Sequence, residues 1–426
     1  MFRRIRQTLA TLLLASAVNA APTRDITLPV THLTHDNDHG FVPFVEDVLE
    51  THYSLLGFAF DNLPSQTSVK RGTLVGSLAV ANAWLTGVAH EYVHHTRKDK
   101  GSIRADTSIG ILPGPKPAEG EHNMYEFAVQ SGVPFYFHDK VAQDLRIDMF
   151  MRKRDVDDGI NMLVNSLASP LYSALILTVR QGDLISNPNR LIDRSNYFDL
   201  ENWAIFTNTR YSSYTVFNGE KNDWMQEDPG RIEVDATHVA WLDVGLALLN
   251  AETYHTFAEI GRFVSKGDRK YDSLNIGSNE VRISPPFWSL ALTPYGAIPS
   301  VDVLYGIGNV ALYLEMMISL ESTQKIKFGP GNVYRQEVGM RVGIDDETTF
   351  DASLAVSEYA QGSHHPEPFG FEANLGMQFP LYAGFGLKLD GTFTYNDLNE
   401  SRHLSEHDLL EPVFLGLGSV VYRLPN

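Results

Sequence analysis

No cysteine occurs anywhere in the 426 residues. Disulfides and thiolate metal sites are thereby excluded, and any bound metal must sit on His, Asp or Glu. Basic residues are scarce as well: 34 Lys and Arg stand against 52 Asp and Glu, a formal net charge of −18. Such a chain repels nucleic acid and anionic membrane surfaces, so neither is an expected partner. No glycine-rich loop follows a strand and opens a helix, which argues against a phosphate cradle. There is no G-x-S-x-G elbow for a serine esterase, and no internal repeat or low-complexity tract.

What is present begins with a leader. Arg3, Arg4 and Arg6 precede an apolar run from Leu9 to Val18, and small residues Val18 and Ala20 stand at minus three and minus one of a cleavage point. This pattern predicts a signal peptide over residues 1–20, too short to anchor in a bilayer and cut near Ala20 or Ala21. The expected location is the cell envelope, outer membrane or periplasm. Loss of the three arginines takes the net charge from −18 to −21.

The remaining chain reads as α+β. From Phe41 to Val264 the apolar residues recur at helical spacing, in segments Phe41–Leu55, Leu74–His95, Met124–Phe137, Gly159–Arg180 and His238–Val264. From about Val281 the period becomes two. Val338, Met340, Val342 and Ile344 alternate with polar residues and glycine, and Phe371 to Phe379, Phe385 to Tyr395 and Val413 to Leu424 repeat the pattern. The types of Val281–Leu292 and Val301–Leu314 stay open. Connections alternate short and long: Asp345–Thr349, Gln361–Pro368, Pro380–Ala383, Asn396–Pro412. The expected organisation is a helical domain over 21–275 and an antiparallel β-domain over 276–426, the latter an outer-membrane barrel or, alternatively, a soluble sheet with one wet face.

One motif carries chemistry: His90-Glu91-Tyr92-Val93-His94. Residues four apart share a helix face, so His90 and His94 can hold one Zn2+ while Glu91, one step round, accepts the proton of the activated water and passes it to the leaving amine. Leu74, Leu78, Ala81, Leu85 and Val88 keep the helical period up to the motif, and Ala83 and Gly87 leave space on the face of His90. The pentapeptide resembles the signature of zincin-like metallopeptidases, over His90 to His94 and the helix that carries them. That resemblance implies His90 and His94 as zinc ligands, Glu91 as general base and a peptide or protein as substrate. The extended HExxHxxGxxH form is absent, since His95-Thr96-Arg97-Lys98 follows. His122 and Glu126, four apart at the start of the next helix, are the candidate third ligands, or else members of a solvated first turn.

Asn165-Ser166-Leu167-Ala168-Ser169-Pro170 is similar to the Asn-x-x-Pro element of intramembrane metalloproteases, although the acidic chain and its strand-rich tail set it apart from them. Further histidines and acids gather at His32, His35, Asp36, Asp38 and His39, at His364 and His365, and at His403 and His407, without a rigid element to fix their spacing. The leading expectation is therefore a zinc-dependent envelope metallopeptidase. The alternatives are a non-enzymatic outer-membrane β-protein for transport, adhesion or assembly, with a structural HExxH, and another zinc or lipid hydrolase with the same ligands.

Overall fold

The computed structural model describes residues 24–34, 41–63, 67–95, 103–104, 116–117, 124–151, 154–186, 199–200, 203–204, 207, 235–278, 281–293, 295–319, 333–344, 348–359, 369–382, 384–398 and 412–424. The leader lies outside them. Strand β1 (Arg24–Thr34) is followed by helices α1 (Phe41–Asn62) and α2 (Ser68–His95), the two-residue pair β2 (Ile103–Arg104) and β3 (Lys116–Pro117), and helix α3 (Met124–Met151). Next come β4 (Arg154–Asp155), α4 (Val156–Leu163), a π-helical turn (Val164–Ala168) and α5 (Ser169–Ser186). Helices α6 (Ala236–Leu249) and α7 (Ala251–Lys266) precede β5 (Lys270–Tyr271), β6 (Ile276–Gly277), β7 (Val281–Ile283), β8 (Phe287–Thr293) and β9 (Gly296–Ile307). The chain then runs through β10 (Val310–Ile318), β11 (Val333–Gly343), β12 (Thr349–Tyr359), β13 (Phe369–Tyr382), β14 (Phe385–Tyr395) and β15 (Val413–Leu424). The α+β expectation is met, and both segments of open type are strands.

Helix α3 runs past the expected end at Phe137 because Val141, Ala142, Ile147 and Phe150 continue the buried stripe. The segment expected as one helix to Val264 is two, divided at Asn250. Pro170 explains the π-helical turn before it: a helical proline clashes with the carbonyl four residues back, here Ser166, and the wider turn relieves the crowding.

Eleven strands form one antiparallel sheet in the order β1-β15-β14-β13-β12-β11-β10-β9-β7-β6, with β8 on the other part of β9. Residues 24–34, expected in the helical domain, pair with β15 instead. Short turns alternate with long connections. Gly308 opens the two-residue turn between β9 and β10 at φ 54°, a left-handed conformation that glycine adopts without strain.

The sheet is sided in an unusual sense. Leu314, Val338, Leu354, Phe393 and Phe414 stand in one register row and are all exposed. The opposite face, turned to the helices, is polar and charged. There Arg335 is fully buried among Glu315 (3.4 Å), Glu337 (2.7 Å), Glu372 (3.3 Å) and Asp397 (2.8 Å). Helices dock on this face through ions. Asp47 of α1 meets Lys388 of β14 at 2.9 Å and accepts from Ser419 of β15 at 2.6 Å, while Asp148 of α3 meets Arg341 of β11 at 2.8 Å. Arg146 of α3 pairs with Glu252 at 3.0 Å and with Asp302 of β9.

The edges of β1 and β8 are sealed by side chains from the helical half. At Thr27 of β1 the backbone N–H donates to Thr51 Oγ1 at 2.9 Å, and the same hydroxyl donates to the Thr27 carbonyl at 2.5 Å. At Trp288 of β8 the backbone N–H donates to Asn250 Oδ1 at 2.6 Å, and Asn250 Nδ2 donates to the Trp288 carbonyl at 2.9 Å. An uncovered edge is an invitation to pair with another chain, and a helix laid over it removes that hazard. Asn250 joins α6 to α7 and is fully buried, so Asn250→Ala removes the partner of two half-buried backbone groups of Trp288. A loss of about 1–3 kcal/mol is expected from the usual cost of such groups. Urea unfolding reads it, and an unchanged midpoint would mean that the edge is satisfied by other means.

Candidate metal centre

Helix α2 carries the HExxH sequence at its C-terminal end, as the apolar period predicts. Buried Leu78, Asn82, Thr86, Ala89 and Val93 form the stripe that packs it inward. His90 lies at the edge of that stripe and is partly buried. Glu91 and His94 follow on the same helix, and Glu126 lies in the first turn of α3. The side chains of these three, and the whole of His122, lie outside the described residues, as do His35, Asp36, Asp38, His39, His364, His365, His403 and His407.

His90 meets two residues that the sequence reading did not single out. Its Nδ1 is 3.0 Å from Nε2 of His138 on α3, with the two rings stacked at 5.3 Å, and its Nε2 is 2.9 Å from Oδ2 of Asp199. Phe135, one turn before His138, closes edge-on against the His90 ring. Asp199 is held in place by its neighbours: Leu200, Trp203 and Ala204 are buried against Phe135, Leu177, Val239 and Leu290, and Trp203 Nε1 donates to the Thr293 carbonyl at 3.0 Å. The spacing Leu200, Trp203, Ala204 is a helical apolar triplet, a signal present in the sequence but short.

The direction of each hydrogen bond can be followed from the backbone outward. Asn165, in the π-helical turn, donates from Nδ2 to the Asn161 carbonyl at 2.9 Å and to Tyr53 Oη at 3.0 Å. Its Oδ1 therefore faces His138 Nδ1, at 3.2 Å, as acceptor, and the proton of His138 is on Nδ1. Burial pushes the His138 pKa down from 6.5 to about 3, with the neighbouring His90 acting in the same direction, so the ring is neutral and its Nε2 is an acceptor. His90 must then donate from Nδ1. Its Nε2 faces a carboxylate oxygen, which also can only accept. Two such atoms at 2.9 Å need a proton between them, on Nε2 or on the carboxyl oxygen, or a metal ion.

The donor set fits zinc in kind. A zinc-bound imidazole commonly has its other ring N–H held by a second group, as His138 holds that of His90, and carboxylate oxygen is an ordinary fellow ligand. Among the described residues no three His, Asp or Glu side chains gather closely enough to complete a site by themselves. His94 stands one helical turn from His90 on the same helix.

His138 also predicts a pH dependence. Between about pH 6.5 and 3 the unfolded chain takes up a proton at this position that the folded protein refuses, so folding stability falls as pH falls through that window. The loss amounts to about 3 kcal/mol by about pH 4.5. In His138→Asn this contribution should vanish, seen as a smaller difference between unfolding midpoints at pH 7.5 and 4.5. An identical difference would contradict a neutral buried ring.

A second feature lies away from His90. A cavity of about 240 Å³ separates α1 and α3 from the polar face of the sheet, lined by Asp47, Glu50, Asp144, Glu337, Arg341 and Lys388 among others. Burial pushes the Glu50 pKa up from 4.5 to about 7, against the pull of Lys388.

Comparison with protein-family models, with characterised proteins and with solved structures returns no match.

Proposed function

We propose that the protein is a zinc-dependent hydrolase of peptide bonds in the bacterial envelope, held in the outer membrane by its β-sheet as a barrel wall. The observation that carries the catalytic reading is the contact of His90 Nε2 with Asp199 Oδ2, a pair that a metal ion or a proton would join. In this reading His90 and Asp199 hold zinc together with His94, while His122 or Glu126 is a further candidate. Zinc, when bound, supplies a Lewis acid for the scissile carbonyl and makes water acidic enough to deprotonate near neutral pH. His138 accepts the Nδ1 proton of His90, which fixes the ring and its tautomer. Asn165 fixes His138 in turn. Glu91 keeps the role that the resemblance gives it, taking the proton of the attacking water and delivering it to the leaving amine.

Membrane placement is supported by the sidedness of the sheet. A soluble sheet buries its apolar face, whereas a membrane barrel exposes an apolar band and turns its polar face inward. The outward row from Leu314 to Phe414 and the inward charges around Arg335 follow the second pattern.

A second reading keeps the membrane placement and makes the protein a non-enzymatic envelope component. It is favoured by the same contact, since a proton on His90 Nε2 also satisfies Asp199 as an imidazolium–carboxylate pair. Metal content separates the two. The hydrolase reading expects near-stoichiometric zinc in the purified protein and casein cleavage that 1,10-phenanthroline abolishes and added zinc restores. Protein that folds without zinc and binds none when offered it would leave the second reading standing.

A further inference from the structure

Helix α2 and the α4–π–α5 segment are apolar over lengths that soluble proteins reserve for their cores; α4 is buried, whereas α2 and α5 each leave an apolar side exposed. The stretch Ser68–His90 has 23 residues and mean hydropathy 1.3, and only 22% of its most apolar window is buried; Val156–Val179 has 24 residues, mean hydropathy 1.5 and 39%. Residues 72–89 contain no Asp, Glu, Lys, Arg or His, and neither do residues 159–179. At 1.5 Å per residue the two stretches are about 35 Å long, enough for a hydrocarbon layer about 30 Å thick.

The exposed faces are apolar in detail. Helix α2 turns Val80, Trp84 and Val88 outward, and α5 turns Leu171, Leu175 and Val179 outward. A helix that meets water keeps its charged residues on that face and buries its apolar one. Here both ionisable residues that bound the α2 stretch are engaged inside: Arg71 is buried and donates to the carbonyls of Val264 and Ser265, and His90 belongs to the metal centre.

Placement in the fold names the occupant. Thr51 of α1 seals the edge of β1 and Asn250, between α6 and α7, seals the edge of β8, so the helical layer is fastened to the sheet at both strands. We infer that α2 and α5 continue the lipid-facing wall of the sheet, so that the bilayer surface of this protein is made of strands and helices together and its partner on the helical side is the acyl-chain layer. This rests on the reading of the strand face as membrane-embedded. It sets His90, the last residue of the α2 span, at the boundary between lipid and water, where a membrane-tethered substrate would meet it.

The absence of cysteine makes the test direct, because any introduced cysteine is the only one. Val80→Cys on α2, Leu175→Cys on α5, Leu354→Cys on β12 and Lys266→Cys at the end of α7 would each be made in the full chain, nitroxide-labelled and reconstituted into phosphatidylcholine vesicles. Relaxation by oxygen, which partitions into lipid, is compared with relaxation by a water-soluble nickel chelate. The expected result is an oxygen-to-nickel ratio at 80 and 175 that matches 354 and exceeds 266 severalfold. Lipid-like behaviour at 354 with water-like behaviour at 80 and 175 would overturn the inference and leave the sheet in the membrane. Water-like behaviour at 354 as well would remove the membrane reading itself. Labels at 80 and 175 shielded from both reagents would show a face covered by protein, a second copy included, and would equally overturn it.

Discussion

Asp199→Asn is expected to strip the protein of bound zinc and to lower hydrolysis by about 10³-fold or more, as loss of a ligand to a catalytic metal does, while the chain stays folded. The substitution is nearly isosteric, and an amide N–H can donate to the His90 Nε2 lone pair at the separation already present, 2.9 Å. A purely structural contact would therefore survive the change. His90→Ala should give the same loss of metal. His138→Ala should give a smaller one, about 10–100-fold in affinity or activity, because it removes the group that orients a ligand and not the ligand. Zinc by mass spectrometry and casein hydrolysis read both effects. Full zinc occupancy in Asp199→Asn would remove Asp199 from the ligand set, and with it the observation on which the hydrolase reading stands.

Arg335→Met should be the most damaging single change to the fold. Its guanidinium is the cation for four carboxylates on the inner face of the sheet, drawn from β10, β11, β13 and the residues after β14. Breaking one buried ion pair costs about 3–5 kcal/mol, because the remaining charge stays buried without its counter-ion. Four acids losing one cation should cost more, and the protein is expected to lose its cooperative thermal transition in detergent. Arg335→Lys should fall between, since an ammonium lacks the planar fork that reaches several carboxylates at once. Combining Arg335→Met with Glu337→Gln and Glu372→Gln should recover part of the transition. A normal melting curve for Arg335→Met alone would mean that these acids are not dependent on it.

Much of this architecture was legible because it follows from period. Helix α2 and the strands from Val333 onward obey spacings of 3.6 and 2 over enough residues that no tertiary contact had to be known. The alternation at Val338, Met340 and Val342 even identified the sides of the sheet, although not which side the helices would take. The site around His90 was only half legible. His90 stood out through its motif, whereas His138 and Asp199 are single residues, 48 and 109 positions away, brought to it by packing. Asp199 in particular owes its position to Trp203 and the Thr293 carbonyl, a contact that no local pattern encodes. Strand β1 was missed for a related reason: Arg24 to Thr34 offers only a brief alternation, and its partner lies at the other end of the sequence. Asn250 is legible as a helix cap once the helices are known, but its second task at Trp288 is not.

The pairing of β1 with β15 has a consequence for how the protein comes to be. Arg24 and Leu424 are register partners, roughly 400 residues apart, and closing a loop of that length costs about 5 kcal/mol in chain entropy beyond the fixed term. Neighbouring hairpins from β9 to β15 close much shorter loops. They will assemble first, and the seam between β1 and β15 will be among the last contacts to form. Until then β15 offers an open ladder of donors and acceptors, and the helical half hangs from the sheet at one side only. A nascent or damaged chain that has lost either strand would retain most of its hairpins yet present a sticky edge. Cellular quality control would have that edge to recognise.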